Sequence, residues 1–332
     1  MTSAPATGKK VRVAVVGVGE FGRNHVRVYR ELDDAELVGI VDLDTARAAK
    51  VAAEFSTEVL PGIEALAGRV DAVSLAVPTL DHARIGCALL ERGLNVLVEK
   101  PMAASLAEAD ALIAAASKHG RILQVGHVER FNPAVAAVAP IIKRPLFFEV
   151  HRLGVFTTRS LDVDVVYDLM IHDLDILLAL VGEPVVDLKA VGIPVVTDKV
   201  DIAHARLEFA SGAVANVTAS RVSTERVRKM RFFQRHEYIS LDYARRDALR
   251  IRVRQPGPQP DFVFEKLPAK EEEPLHAELG AFLESVLMRR PARVGGAAGR
   301  RALDLACRVM AGIQEHGRRV QLDAFPTPPA IS

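Results

Sequence analysis

At 332 residues, 49% of them apolar and 26% charged, the chain is long enough for two domains and has the composition of a globular protein. A formal net charge of +1 argues against a general nucleic-acid or membrane-surface binder. The opening Met1–Lys10 lacks an apolar signal core and reads as a short flexible tail. Cys87 and Cys307 lie far apart and read as buried thiols of a reducing cytoplasm, not as a disulfide or metal site.

The first predicted strand, Val11–Val16, leads into Gly17, Gly19 and Gly22, with Glu20 and Phe21 opening a helix. Gly17 permits a tight turn, Gly19 a close approach of a pyrophosphate to the backbone, and Gly22 close packing of helix on strand. A helix N-terminus then faces the phosphates. A second strand, Leu37–Val41, ends on Asp42, twenty residues past Gly22, where a carboxylate can accept hydrogen bonds from both ribose hydroxyls. Strand, glycines, helix, strand and acid in that order predict dinucleotide binding. The charge of Asp42 predicts NAD over NADP, tempered by Arg23 and Arg47 nearby.

Strands at Asp71–Ala76, Asn95–Val98 and Ile122–Val125 alternate with amphipathic helices over Leu43–Glu54, Asp81–Arg92 and Ser105–His119. That alternation predicts a parallel, doubly wound sheet covered on both faces. After the strand Asp71–Ala76 comes Val77–Pro78–Thr79, with His82 beyond. Thr79 is placed either to cap the next helix or to contact the cofactor. Glu99–Lys100–Pro101 follows the strand Asn95–Val98, at the sheet edge where ligands bind. A lysine there is either a solvated surface residue or a group that reaches a substrate hydroxyl and stabilises its developing negative charge.

Beyond Val125 the pattern changes. Arg130 and Asn132 either touch a polar substrate or fix the connection between domains. A strand at Leu146–Arg152 precedes Val163–Val181, which reads as one helix. Its Asp164, Asp168, His172, Asp173 and Asp175 argue against a membrane span. A four-residue spacing on an α-helix puts Asp168 and His172 on one face, with Cβ atoms roughly 6 Å apart. His172 could then take a proton from an alcohol while Asp168 orients it, or the two form a structural pair. Carboxylates and one histidine on a single helix do not complete a metal shell, so no metal is expected.

From Val185 to Leu267 successive strands with short turns predict a largely antiparallel sheet, and helices near Leu275–Arg289 and Arg300–Glu315 are expected to return to the first domain. Arg221–Arg254 carries eleven basic side chains against four acidic ones. An oligomer interface with solvated arginines, contact with an anionic substrate, or a nucleic-acid platform using Phe232, Phe233, Tyr238 and Tyr243 all fit that pattern. The expected organisation is a dinucleotide-binding domain over 1–127, a substrate-binding and oligomerisation domain over 128–322, and a flexible tail over 323–332.

Taken together, Gly17–Val18–Gly19–Glu20–Phe21–Gly22, Pro78 with His82, Glu99–Lys100–Pro101 and Asp168 with His172 resemble the Gfo/Idh/MocA oxidoreductase family. The resemblance spans nearly the whole chain. It implies a Rossmann domain followed by an α/β domain whose open sheet serves as a homodimer or homotetramer interface, and hydride transfer between a sugar-like alcohol and NAD(P). By position it implies Lys100, Asp168 and His172 as the catalytic trio. Gly17, Gly19, Gly22, Asp42 and, more loosely, Glu99 match the cofactor site, and Glu20, Phe21, Pro78, Thr79 and His82 are expected to line it. Val77–Pro78–Thr79 departs from the common Thr-Pro-Asn. Val125–Pro133 and Tyr167–Asp175 are further similar to the bacterial branch that includes UDP-N-acetylglucosamine 3-dehydrogenases, which prepare a 3-oxo sugar for transamination in lipid A synthesis. The expectation is therefore NAD-dependent oxidation of a nucleotide sugar in the cytoplasm, without nucleic-acid or membrane partners. Alternatives are a dehydrogenase of a free sugar or inositol, or a non-catalytic NAD-binding regulator.

Overall fold

A computed structural model describes residues 10–157, 163–255 and 259–322. The predicted tail 323–332 and most of Met1–Lys10 lie outside the described residues. The chain forms two compact units. One takes in the described residues up to Phe131 together with Glu272–Leu303. The other takes in those of Asn132–Glu271 together with those from Asp304 onward.

The first unit runs β1 (Val11–Val16), α1 (Glu20–Glu31), β2 (Ala35–Val41), α2 (Thr45–Phe55), β3 (Glu58–Val59), β4 (Ala72–Leu75), α3 (Thr79–Glu91), β5 (Asn95–Glu99), α4 (Leu106–Lys118) and β6 (Leu123–Gly126). The strands pair in the order β3-β2-β1-β4-β5-β6, every pair parallel. Helices cover both faces of such a sheet, so β1 and β4 are almost wholly buried and read as continuous apolar runs. The two-residue β3 was not foreseen. Both its residues are exposed, so it leaves no hydrophobic signature. Asp44 caps α2 by accepting from the Arg47 amide, and Ser105 caps α4 by accepting from the Glu108 amide.

The second unit holds α5 (Pro133–Val138), β7 (Phe147–Leu153), a π-helical turn (Val166–Met170) that runs into α6 (Ile171–Val181), and then β8 (Val185–Ile193), β9 (Ile202–Phe209), β10 (Val214–Ser220), β11 (Val227–Gln234), β12 (Glu237–Asp242), β13 (Asp247–Gln255) and β14 (Asp261–Leu267). The eight strands order as β14-β13-β12-β11-β7-β10-β9-β8. Each pair is antiparallel except β7 with β10, because β7 inserts into the middle of strands that follow it in sequence.

Two closing helices, α7 (Pro274–Met288) and α8 (Gly296–Arg319), complete the chain. α7 belongs wholly to the first unit, where Leu279, Phe282 and Leu283 join Val13, Val26 and Tyr29 in one core. The expectation that both helices return there is corrected for α8. Its start packs in the first unit, with Gly296 against Ile113 and Gly299 against Val125. From Asp304 it belongs to the second, where Gly312 lies on Ala190 and Arg308 donates to the Val185 carbonyl.

Candidate active site

The glycine turn is built by exclusion of side chains. Gly17 has φ +84°, and a Cβ on it would stand 2.7 Å from the Ala76 carbonyl oxygen. A Cβ on Gly22 would stand 1.8 Å from the Gly17 oxygen. These two glycines are demanded by internal packing. Gly19 differs: it is the N-cap of α1, and a Cβ there would meet nothing within 4 Å. Its bareness keeps open the space over the helix N-terminus, which suits an approaching phosphate. Glu20 and Phe21 are exposed beside it, Phe21 to 51%.

Asp42 closes the next strand. Its Oδ2 accepts from the Val18 amide at 2.7 Å and from Arg47 Nε at 3.2 Å; its Oδ1 accepts from the Asp44 amide and Arg47 Nη2, both at 2.8 Å. Burial works to raise the carboxyl pKa, but the Arg47 hydrogen bond and the two amides outweigh it and hold the group below the usual aspartate value. The sequence pointed to Asp42 and to Arg47 separately, not to their pairing.

At the carboxyl ends of β4 and β5, Pro78 is the N-cap of α3 and Thr79 its first residue, with no side-chain cap. The capping role considered for Thr79 is therefore corrected. His82 is 1% exposed, with ring nitrogens 2.9 Å from the carbonyl oxygens of Val77 and Pro101. The Glu99 carboxylate meets His25 Nε2 at 3.0 Å, and a Cβ on Gly126 would stand 2.7 Å from its Oε1. Burial raises the Glu99 pKa, yet the His25 hydrogen bond and the charges of His25, Lys100 and His82 win and hold it below the ordinary glutamate value. Lys100 follows, half-buried. His25 and Gly126 escaped the sequence reading. The only signal for His25 was its place on the apolar face of α1, next to Val26.

The second unit holds Asp168 and His172, both half-buried. Asp168 lies in the π-helical turn and His172 in the first turn of α6, so the regular helix expected over Val163–Val181 is corrected. A π turn closes i→i+5 bonds, so four residues fall short of one turn there. Such turns concentrate at functional sites. The next residue, Asp173, is fully buried and takes Arg152 in two hydrogen bonds, Nε to Oδ2 at 2.6 Å and Nη2 to Oδ1 at 2.9 Å. The same guanidinium lies 5.0 Å from the Tyr243 ring centre. This pair ties the start of α6 to β7.

Arg130 is half-buried on a 3₁₀ turn. Asn132 is 2% exposed, caps α5 through the Ala134 amide and donates to the Tyr243 carbonyl. Of the two roles foreseen for Asn132, these bonds supply the structural one. The basic region Arg221–Arg254 is laced with ion pairs, including Arg231–Glu149, Arg250–Glu237 and Arg252–Glu265. Phe232 and Tyr243 are buried, and Phe233 and Tyr238, both half-buried, lean on each other at 5.3 Å. Among the described residues no His, Cys, Asp and Glu cluster could hold a metal, and no helix is long and apolar enough to cross a membrane. Cys87 and Cys307 are half-buried rather than buried, and Tyr167 Oη donates to Cys307 Sγ at 3.6 Å.

A parallel sheet with the strand order 3-2-1-4-5-6, a glycine turn at its centre and an acid at the end of β2 defines a dinucleotide-binding oxidoreductase domain. Residues 11–127 match the model of the oxidoreductase family with an NAD-binding Rossmann fold, and residues 143–236 match the Gfo/Idh/MocA C-terminal domain. The chain belongs to the Gfo/Idh/MocA family of oxidoreductases, and its relatives are dehydrogenases. It is 39% identical over 308 residues to UDP-N-acetylglucosamine 3-dehydrogenase of Acidithiobacillus ferrooxidans, covering 92% of this chain and 97% of that one. A solved structure of the enzyme of that name from A. ferrooxidans superposes with a TM-score of 0.87 at 37% identity, covering 92% and 98% of the two chains. The scyllo-inositol 2-dehydrogenase (NAD(+)) of Bacillus subtilis is 31% identical over 250 residues, 64% of this chain and 68% of that one.

Proposed function

We propose that the chain oxidises a secondary hydroxyl of a nucleotide sugar with NAD, at C3 of UDP-N-acetylglucosamine, to give a 3-oxo sugar ready for transamination. The observation that carries this reading is the 39% identity with a dehydrogenase of that substrate across almost the full length of both chains.

The glycine turn and Asp42 suit the dinucleotide: Gly19 leaves the helix N-terminus open to the pyrophosphate, and the carboxylate of Asp42, held below the usual aspartate pKa, can accept from the ribose once Arg47 swings away. When bound, the nicotinamide supplies the hydride acceptor. Lys100 holds and polarises the substrate oxygen, and its positive charge stabilises the alkoxide as it forms. His172 takes the hydroxyl proton and Asp168 orients the imidazole. Asp42 sets the preference for NAD, since its charge repels a 2′-phosphate. The protein is placed in the cytoplasm and assembles through the exposed face of its second sheet, where Phe262 and Phe264 stand 51% and 69% exposed.

The test is NADH formation with UDP-N-acetylglucosamine, free sugars and inositols, each coupled to an aminotransferase or ketone trap to draw the equilibrium forward. Turnover of UDP-N-acetylglucosamine above all others is expected. The inositol dehydrogenase relative supports a second reading, oxidation of a free polyol. Good turnover of an inositol beside none of any UDP-sugar would replace the first reading with the second.

A further inference from the structure

His82 is a buried histidine whose two ring nitrogens both face backbone carbonyls. A carbonyl oxygen only accepts, and a neutral imidazole has a single N–H. With oxygens 2.9 Å from each nitrogen, the neutral ring satisfies Val77 or Pro101, and only the imidazolium satisfies both. Those carbonyls belong to the segments that follow β4 and β5. Val77 also touches the glycine turn, since a Cβ on Gly17 would stand 2.9 Å from its Cγ1. Pro101 is bonded directly to Lys100. At 1% exposure the ring is sealed from anything bound above the sheet.

We propose that His82 is a positioning residue that ties the Val77 segment to the Pro101 segment and so fixes Lys100 relative to the glycine turn, without touching the cofactor. The proposal rests on the reading of Lys100 as the group that holds the substrate oxygen.

The brace has one permanent arm and one that depends on a proton. Burial draws the His82 pKa down, while the hydrogen bonds to Pro101 and Val77 and the charges of Glu99, from β5, and Asp81, on its own helix, draw it up; burial prevails. The neutral ring, with one N–H, therefore dominates above a pH that lies below the ordinary histidine value. Below it the second arm closes.

The experiment compares wild type, His82→Leu and His82→Gln with NAD and the alcohol that the substrate panel selects. A 1 Å displacement of a catalytic group costs about 100-fold. His82→Leu is expected to lower kcat by roughly 10- to 100-fold, while the NAD Kd from calorimetry stays within about 3-fold. His82→Gln, whose amide keeps N–H donors at every pH, is expected to recover most of kcat and to lack the acid-side gain that closure of the second arm gives wild type. Ring ¹⁵N shifts of the cofactor-free protein should show one histidine, absent from both variants, that titrates below the ordinary range. In a Lys100→Met background, His82→Leu should cost nothing further. Wild-type kcat in His82→Leu, a loss of NAD affinity as large as the loss of kcat, or an undiminished cost in the Lys100→Met background would each overturn the proposal. Should His82→Leu not fold, His82→Gln decides: a pH profile identical to wild type refutes the brace. Full turnover by Lys100→Met alone would instead refute the role given to Lys100.

Discussion

Arg47 clasps Asp42 through two hydrogen bonds, and the amides of Val18 and Asp44 take the other two acceptor positions that a carboxylate offers. A ribose diol can bond Asp42 only by displacing the guanidinium, which is 47% exposed and therefore cheap to release. Exposed pairs of this kind are worth about 1 kcal/mol or less. Arg47→Ala should accordingly tighten NAD by no more than about 5-fold in calorimetry. Asp42→Ala loses charged hydrogen bonds worth about 1.5–3 kcal/mol and should weaken NAD by roughly 10- to 100-fold. It also leaves Arg47 available for a 2′-phosphate, so the ratio of NADP to NAD affinity should rise. Unchanged NAD binding by Asp42→Ala would remove the residue from the cofactor site.

Gly22→Ala places a methyl carbon 1.8 Å from the Gly17 oxygen. Backbone, not a mobile side chain, is in the way, so the turn must open. Overpacking of this kind costs on the order of 1–3 kcal/mol or more, and the phosphate approach is distorted with it. Thermal unfolding should show the loss of stability and calorimetry the loss of NAD binding. Gly19→Ala, which meets open space, should leave stability nearly intact and weaken NAD alone.

The buried Arg152–Asp173 pair should behave asymmetrically. Arg152→Met takes two hydrogen bonds and a countercharge from a wholly buried carboxylate, at a cost of about 3–5 kcal/mol in urea unfolding. Replacing both, with Asp173→Leu added, should restore most of the stability, because the desolvation cost disappears with the charges. A single substitution that costs less than about 1 kcal/mol would show that the pair does not anchor α6.

Glu99 gives the fold an acid-sensitive component. Its carboxyl pKa lies below the ordinary value in the folded chain and returns to it on unfolding, so the stabilisation is complete above the ordinary glutamate value. It is lost as pH falls from there through the folded value. Asp42 acts in the same direction. Melting temperature followed from pH 7 to pH 3 should fall less steeply for Glu99→Gln than for wild type. Parallel curves would mean that Glu99 contributes nothing to this loss.

If the exposed face of the second sheet joins copies of the chain, a charge on it will separate them. Phe264→Asp, at a side chain 69% exposed, should lower the mass measured by light scattering without lowering the melting temperature of each protomer by more than a few degrees. An unchanged mass would place the interface elsewhere.

Much of the first unit was legible because its signals are local. The apolar run Val11–Val16, the three glycines and Asp42 lie within one β-α-β stretch, and each obeys a steric or electrostatic demand that a short segment can state. The strand expected over Asn95–Val98, and found as Asn95–Glu99, followed from continuous apolar patterning, which burial on both faces imposes. Thr79 misled because a hydroxyl near a helix start suits several positions, and only backbone geometry shows which one it takes.

The sequence by itself determined the order of the elements, the glycine turn and the residue types available for chemistry, since chain periodicity and backbone freedom belong to the sequence. Tertiary structure alone decided what touches what. Arg47 reaches Asp42, His25 reaches Glu99 across seventy-four positions, and His82 joins two carbonyls nineteen and five residues away. It also set β7 between β10 and β11, turned Val166–Met170 into a π-helical turn, and divided α8 at Leu303. These outcomes depend on competition among distant surfaces for burial and on polar groups finding partners once water is gone, and neither is encoded in any local window.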